Sequence, residues 1–442
     1  MGRELFSKET VAGCAASLNI PNLSNAAIAD VLNVAVTLEA RTGIPFIRMD
    51  QGIPGLPASR IGVEAEKKAL DEGVANKYPP QAGLPALKSA ASRFVKAFLD
   101  VDVSPQSCIP GVGSASISFA AFAITTQLDP RKDTVLFIDP GFPVQKAQLN
   151  ILGIKHLSFD VYAYRGEALR EKLEECLSTG RIASLIYSNP DNPAWISFTE
   201  DELHIIGELA DKYGVIVLED LAYFCMDSRS DFSQPFKAPY PPTVARYTDN
   251  YILMLSASKM FSYAGQRLGL ACISDRLASR HFPALAARYA DSGIFAQTYA
   301  SSILYTISAG TAFSTQYAMA AMMEAACDGV YGFVSDNREY ARRAELMKAA
   351  FLKNCFHIVY DEDCGRPIGD GFFFSVGYGK MTGAELMEEL LHYGISSISL
   401  STTGSEREGI RACVSKMTGD MFPLLEERLE AFAADHPQVS QA

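Results

Sequence analysis

The sequence predicts an α/β protein: a large domain with a mostly parallel sheet sandwiched by helices, plus a smaller α+β domain. Two patterns predict it. From about residue 105 to 275, short runs rich in β-branched residues alternate with segments of helical period. Beyond about 330 that rhythm gives way to a long charged helical stretch and short, scattered strand-like runs. The composition permits such a build. Of 442 residues, 48% are apolar and 20% charged, so a core can be buried and the chain does not read as disordered. The length suggests about three compact units, or one large domain with a smaller partner.

Residues 1–50 read as a helical lead-in, with apolar residues at helical spacing around Ile28, Val31, Leu32, Val34 and Val36. Residues 51–58 are punctuated by Gly and Pro and read as a loop. Strands are predicted at 134–138, 184–187, 215–218, 251–255 and 269–273, and helices at 114–127, 143–152, 166–178 and 200–213. Strands that are apolar throughout, with helices between them, signal a parallel sheet covered on both faces. In the C-terminal part, helices are predicted at 336–353, 382–393 and 419–433. Short strands are predicted around 372–376 and 410–414, with a loop at 361–371.

Charge and special residues narrow the function. Lys and Arg total 39 against 51 Asp and Glu, a formal charge of −12. Nucleic-acid binding needs a basic face, so that class is excluded, while a local basic pocket for a small anion stays compatible. Nine cysteines have no paired spacing, which fits buried free thiols in a reducing compartment. The six histidines are scattered, and no metal site stands out. Val11-Ala12-Gly13-Cys14 looks like a lipoprotein cleavage box, but the residues before it form no apolar stretch. Phe6 stands where a myristoylation signal wants Ser or Thr. No uncharged apolar run approaches the ~20 residues that span a bilayer. A soluble, cytoplasmic protein is expected.

The polar residues that follow the predicted strands carry the chemistry. Asp139-Pro140-Gly141-Phe142 follows one strand and Ser188-Asn189-Pro190-Asp191-Asn192-Pro193 the next. Glu219-Asp220-Leu221-Ala222-Tyr223 follows the third, and Ser256-Ala257-Ser258-Lys259 the fourth. In a parallel sheet all carboxyl ends share one edge, where open α/β sheets bind ligands. An aromatic ring, an amide, a carboxylate with a phenol, and a lysine are thereby delivered to one place. Upstream, Gly111-Val112-Gly113-Ser114 opens a helix and presents backbone N–H groups to an anion. It lacks the third glycine of GxGxxG and the GK[ST] of a P-loop, so neither nucleotide motif is satisfied.

These residues resemble the fold-type I aminotransferases that use pyridoxal phosphate (PLP), class I/II branch. The family's Ser-x-Ser-Lys segment, with an Arg eight residues after the Lys, reads here Ser256-Ala257-Ser258-Lys259 and Arg267. Its Asn–Pro motif, with an Asp 28 residues later and a Tyr three beyond that, reads Asn192, Asp220 and Tyr223. The resemblance extends from about Gly52 to Arg411. It implies a seven-stranded-type sheet, a large PLP-binding domain at 51–315, and a small domain made of 1–50 and 316–442. It implies that Lys259 carries PLP as an internal aldimine and that Asp220 pairs with the protonated pyridine nitrogen. Asn192 and Tyr223 match the donors to the ring's 3-oxygen, and Phe142 the aromatic that stacks on the ring. Gly113, Ser114, Ser256 and Arg267 match the phosphate cup, with Ser258 counted among the cofactor-binding residues. Tyr78 matches a tyrosine that reaches the phosphate from a partner subunit, which implies a homodimer. Arg411 matches the arginine that grips the substrate α-carboxylate, with Gly52 and Asn192 beside it in the substrate-binding set. The implied reaction moves an amino group between an α-amino acid and a 2-oxo acid by a ping-pong route, without a metal.

The chain also departs from the family. Ala194-Trp195 stand where Thr-Gly is usual, and Trp195 is the only tryptophan. Two readings are open: Trp195 narrows the substrate end of the pocket, or it packs under its loop. Other fold-type I reactions on amino acids, such as decarboxylation, lyase chemistry, cyclisation or oxidation, use the same cofactor and form the alternative. A serine β-lactamase reading rests on Ser256-x-x-Lys259 and Ser335-Asp336-Asn337, but its third box, Thr402-Thr403-Gly404, lacks the cation.

Overall fold

Runs of Val, Ile and Leu between amphipathic helices become strands when helices can cover them on both sides, and here they do. The computed structural model describes residues 3–23 and 28–438, the side chain of Ile28 lying outside the described residues. They form two units. The larger comprises Leu56–Asp191 and Ser197–Asn337; the smaller comprises Met1–Gly55, Asn192–Ile196 and Arg338–Ala442. The larger unit thus starts at Leu56 rather than 51 and runs past 315 to Asn337. The reason is packing: helix Phe313–Cys327 lies against helices Arg60–Asp71 and Pro85–Leu99 of that unit.

In the larger unit the described strands form one seven-stranded sheet. They are β1 (Cys108–Gly111), β2 (Thr134–Asp139), β3 (Lys155–Asp160), β4 (Ile182–Ser188), β5 (Ile216–Leu221), β6 (Tyr251–Ser256) and β7 (Gly269–Ile273). The spatial order is β1-β7-β6-β5-β4-β2-β3. The five strands β2 to β6 pair in parallel, and β7 is antiparallel to both β6 and β1. The segment between β6 and β7 turns back, so that β7 lies antiparallel to its neighbour. β1 and β3 are additions to the predicted strands. Pro110 in β1 is tolerated because β1 is an edge with a single partner. In β3 the first four residues are exposed, so it lacks the apolar run of a central strand.

Alternation along the strands positions the site. Ile186, Leu218 and Met254 share a core with Ile117 and Phe122 of helix α1 (Gly113–Thr125). Ser188, Asp220 and Ser256, each two residues further on, therefore lie on the same helix-covered face at the C-terminal edge. Helix α2 (Pro143–Leu152) starts with a proline in its first turn directly after Phe142. Helix α3 (Glu200–Tyr213) starts with a capping box between Thr199 and Glu202.

The smaller unit holds the strands β8 (His357–Ile358), β9 (Phe373–Gly377), β10 (Ile398–Ser399) and β11 (Ile410–Cys413). They form an antiparallel sheet in the order β10-β11-β9-β8. Ile47–Arg48 pairs in parallel with Ile395–Ser396. The N-terminal helices Lys8–Ser17 and Ile28–Thr42 belong to this unit, where the N–H groups of Leu5 and Phe6 donate to the His392 carbonyl at 2.9 and 3.0 Å. Val11 and Cys14 of the lipoprotein-like box are buried in the first of these helices. The predicted loop 361–371 contains a small ribbon, Glu362–Asp363 against Arg366–Pro367. Among the described residues, no helix is long and apolar enough to cross a membrane, and no group of three or more His, Cys, Asp or Glu can hold a metal ion.

Glu202 secures the start of α3. It is fully buried, and its carboxylate accepts Arg165 Nε at 2.7 Å and Nη2 at 2.8 Å, plus the Thr199 and Gly166 amides at 3.0 Å each. Burial pushes the carboxyl up, but Arg165 and these amides outweigh it and hold it down at about 2. A depressed acid stabilises the fold above its unfolded value near 4.5 and loses that contribution as pH falls toward 2. Glu202→Gln is expected to cost about 3 kcal/mol at pH 7, because Arg165 keeps its charge without a counter-ion. The gap to the parent protein should narrow below pH 4.5, which urea unfolding at a series of pH values will measure.

Candidate active site

The larger unit gathers one set of site residues at the C-terminal edge of its sheet. Asp220, 4% exposed, is the penultimate residue of β5. Its Oδ2 accepts from Gln145 Nε2 at 2.8 Å and its Oδ1 from the Ala222 amide at 3.1 Å. Burial pushes this carboxyl up to about 6, while the Ala222 amide, Gln145 and the positive charge of Lys259 pull the other way. Lys259, half-buried, sits in helix α4 (Ala257–Met260), which begins directly after β6. Ser256 caps that helix, its Oγ accepting from the Ser258 amide at 3.2 Å, and Ser258 is buried. Tyr223 is buried beside the end of β5, and Phe142 is half-buried at the start of α2, the helix that carries Gln145.

An anion cradle lies at the start of α1. Gly113 has φ +72°, and a Cβ there would fall 2.5 Å from Arg267 Nη2. A side chain at Gly269 would meet the Ser114 amide at 2.9 Å. Both glycines therefore allow close approach: Arg267 across the first turn of the helix, and β7 against its N-terminus. No side chain caps this helix start at Val112. Its first amides and the Arg267 guanidinium together form a positive, donor-rich concavity. Arg267 itself adopts φ +50° and donates from Nη1 to the Ala264 carbonyl at 2.9 Å. Tyr78 does not join this group; it is 81% exposed.

The smaller unit gathers a second set around Arg411, which is 2% exposed on β11. Nη2 donates to the Asp50 carbonyl at 2.7 Å and Nη1 to Asn192 Oδ1 at 3.2 Å. The guanidinium lies 4.6 Å from the centroid of the Phe373 ring. The Asp50 side chain is taken up elsewhere, accepting Arg48 Nε and Nη2 at 2.9 Å each and Ser396 Oγ at 2.6 Å. Gly52 follows two residues later and is half-buried. Trp195 is 1% exposed, in contact with Gly371 and edge to face with Phe373, so it belongs to the core of this unit under its loop.

Sequence reasoning missed Gln145, Asp50 and Phe373. Gln145 had a signal, because it lies one helical turn from Phe142 on α2. Asp50 reaches Arg411 across 361 residues and Phe373 packs on it from a neighbouring strand, and nothing local marks either.

The sequence model of the family described as "Aminotransferase class I and II" matches residues 46–429. A "Probable aspartate aminotransferase" of Methanocaldococcus jannaschii is 27% identical over 256 residues, 58% of this chain and 62% of the relative. An "Asparagine--oxo-acid transaminase" of Streptococcus mutans is 26% identical over 54% of this chain and 58% of its own length. The chain thus spans somewhat over half the length of these curated relatives. A solved alanine aminotransferase from Pyrococcus furiosus superposes with a TM-score of 0.73 at 20% identity, covering 92% of this chain and 97% of that one. A Thermus thermophilus aspartate aminotransferase mutant gives 0.73 at 19% identity, covering 93% and 96%. At such identities these structures establish the fold, and the match of the family model over most of the sequence establishes the rest: the chain belongs to the class I and II aminotransferases, a pyridoxal-phosphate-dependent family.

Proposed function

We propose that this protein is a PLP-dependent aminotransferase that moves the amino group between an α-amino acid and a 2-oxo acid, as a cytoplasmic homodimer. One observation carries the reading: Asp220, buried and with its carboxyl raised to about 6, has Lys259 as its electrostatic neighbour at the same sheet edge. Family membership also removes the serine β-lactamase reading of Ser256 and Lys259. The aminotransferase names of the relatives favour transamination over other PLP reactions.

The residues fit PLP. The cradle at Gly113, Ser114, Ser256 and Arg267 suits a phosphate, which needs amide donors and a guanidinium. A buried carboxylate that is reluctant to ionise suits a cationic ring nitrogen, and Phe142 offers a face to the ring. When bound, PLP supplies an electron sink for the bond broken at the substrate α-carbon.

The chain's own residues do the rest. Asp220, oriented by Gln145 and the Ala222 amide, would hold a proton on the ring nitrogen. Lys259 Nζ would tether the aldehyde and, once the substrate amine displaces it, take the proton from the substrate α-carbon. Tyr223 and Asn192 would donate to the ring's 3-oxygen. Arg411, with Gly52 and Asn192, would bind the substrate α-carboxylate through its planar fork. Tyr78, exposed on this chain, would serve the phosphate of a partner subunit.

The test is a half-reaction. Holoenzyme mixed with an amino acid alone should release its 2-oxo acid and leave the cofactor as the amine, read by absorbance across an amino-acid panel. Regeneration of the aldehyde with loss of carbon dioxide or ammonia would contradict it. Lys259→Ala should lose about 10⁴-fold or more in turnover.

Asp220 also sets a pH dependence. In the protein free of cofactor its carboxyl is raised from 3.8 to about 6, so the folded state binds more protons than the unfolded chain in that window. Stability should therefore fall as pH rises from about 4 through 6. Asp220→Asn should flatten that part of the profile of thermal midpoint against pH. An unchanged slope would mean that Asp220 is not the titrating group.

A further inference from the structure

Trp195 has an unusual position for a tryptophan. Its backbone is left-handed, φ +63°, a conformation that suits glycine and strains other residues. The usual residue of the resembled family at this place is a glycine. A bulky side chain here must return that strain through what it touches.

Its contacts lead to Arg411. The indole lies so close to Gly371 that a Cβ at that glycine would fall 2.0 Å from Cζ2, so only glycine is compatible with it. A second neighbour is Phe373, ring centroids 6.3 Å apart and planes at 69°. Phe373 lies under the Arg411 guanidinium. The same short segment meets Arg411 directly, because Asn192 Oδ1 accepts from Nη1. The segment is also tied to β9, where Ser375 Oγ donates to the Pro193 carbonyl at 3.5 Å. Asn192–Ile196 therefore approaches the arginine twice, once by an amide oxygen and once through a wedge of two aromatic rings.

We propose that Trp195 is a positioning residue for Arg411: packed against Gly371 and Phe373, it fixes the ring on which the guanidinium rests and so sets the grip on the substrate carboxylate. The proposal rests on Arg411 binding that carboxylate, as in the function proposed above. It assigns Trp195 no contact with substrate. A fixed guanidinium presents its fork without first losing rotamer freedom, so the wedge acts on binding more than on chemistry.

The test uses holoenzyme and the variants Phe373→Leu and Trp195→Phe. Phe373→Leu removes the ring under Arg411 while keeping apolar volume, and covers the case in which the Trp195 variant fails to fold. KM for the amino acid and for the 2-oxo acid should rise about tenfold, with kcat changed less than about threefold. The loss in kcat/KM should exceed by about tenfold the loss on benzylamine, which has no carboxylate for Arg411 to hold. A merely structural role would lower both substrates together, and that result would overturn the proposal, as would an unchanged KM in both variants. Because Trp195 is the only tryptophan, its emission reports on the wedge in the unsubstituted enzyme. Titration with propionate should shift the emission saturably, and the shift should vanish in Phe373→Leu; no response in the parent enzyme would overturn the relay. A parent enzyme that takes the amino group from no amino acid would overturn the function reading and this one with it. A parent enzyme that turns over, with variants that keep their KM, would overturn this proposal alone.

Discussion

A carboxylate kept out of water beside a lysine is the constraint on which the edge of the large sheet depends. Asp220 can occupy its place only because Gln145 and the Ala222 amide hydrogen-bond it and Lys259 lends positive charge. Even so, burial raises its carboxyl to about 6, because the ionised form is costly away from water unless a cation faces it. Its neighbour Glu219 is also buried and is pushed up to about 7. Strand alternation turns the two acids to opposite faces, so each meets its own partners. Glu219 accepts from Thr243 at 2.5 Å and from Asn189 at 3.4 Å. Asn189 in turn accepts from the Phe198 amide at 3.3 Å, which ties together the two ends of the loop bearing Asn192 and Trp195. One pair of consecutive acids on β5 thus serves the site on one face and anchors a loop on the other.

The smaller unit solves the converse problem, a buried cation. Arg411 is held by the Asp50 carbonyl and the Asn192 amide oxygen, both neutral, and by the face of Phe373. These partners orient the guanidinium. The carboxylate of Asp50, whose carbonyl holds Arg411, is bound to Arg48 and Ser396 instead.

Legibility from sequence followed burial. Val215-Ile216-Val217-Leu218 reads as a central strand because both faces are covered, and β5 is that strand. β3 escaped because its exposed residues Lys155 to Ser158 carry no apolar run. β1 escaped because it is four residues long and contains Pro110. The antiparallel direction of β7 is a property of the sheet, which a strand-by-strand reading does not weigh. Within the site, residues at strand ends were visible because topology alone brings them to one edge. Asp50 and Phe373 were not, because their roles arise from tertiary contacts. Trp195 could be singled out as a departure, but its burial against Gly371 is a property of the fold and not of its own segment.

The central claim is that the amine beside Asp220 is the one that carries the cofactor. Reduction of the holoenzyme with borohydride, followed by peptide mapping, tests it most directly. The account predicts a pyridoxyl adduct on Lys259. An adduct on any other lysine, or none, would contradict it.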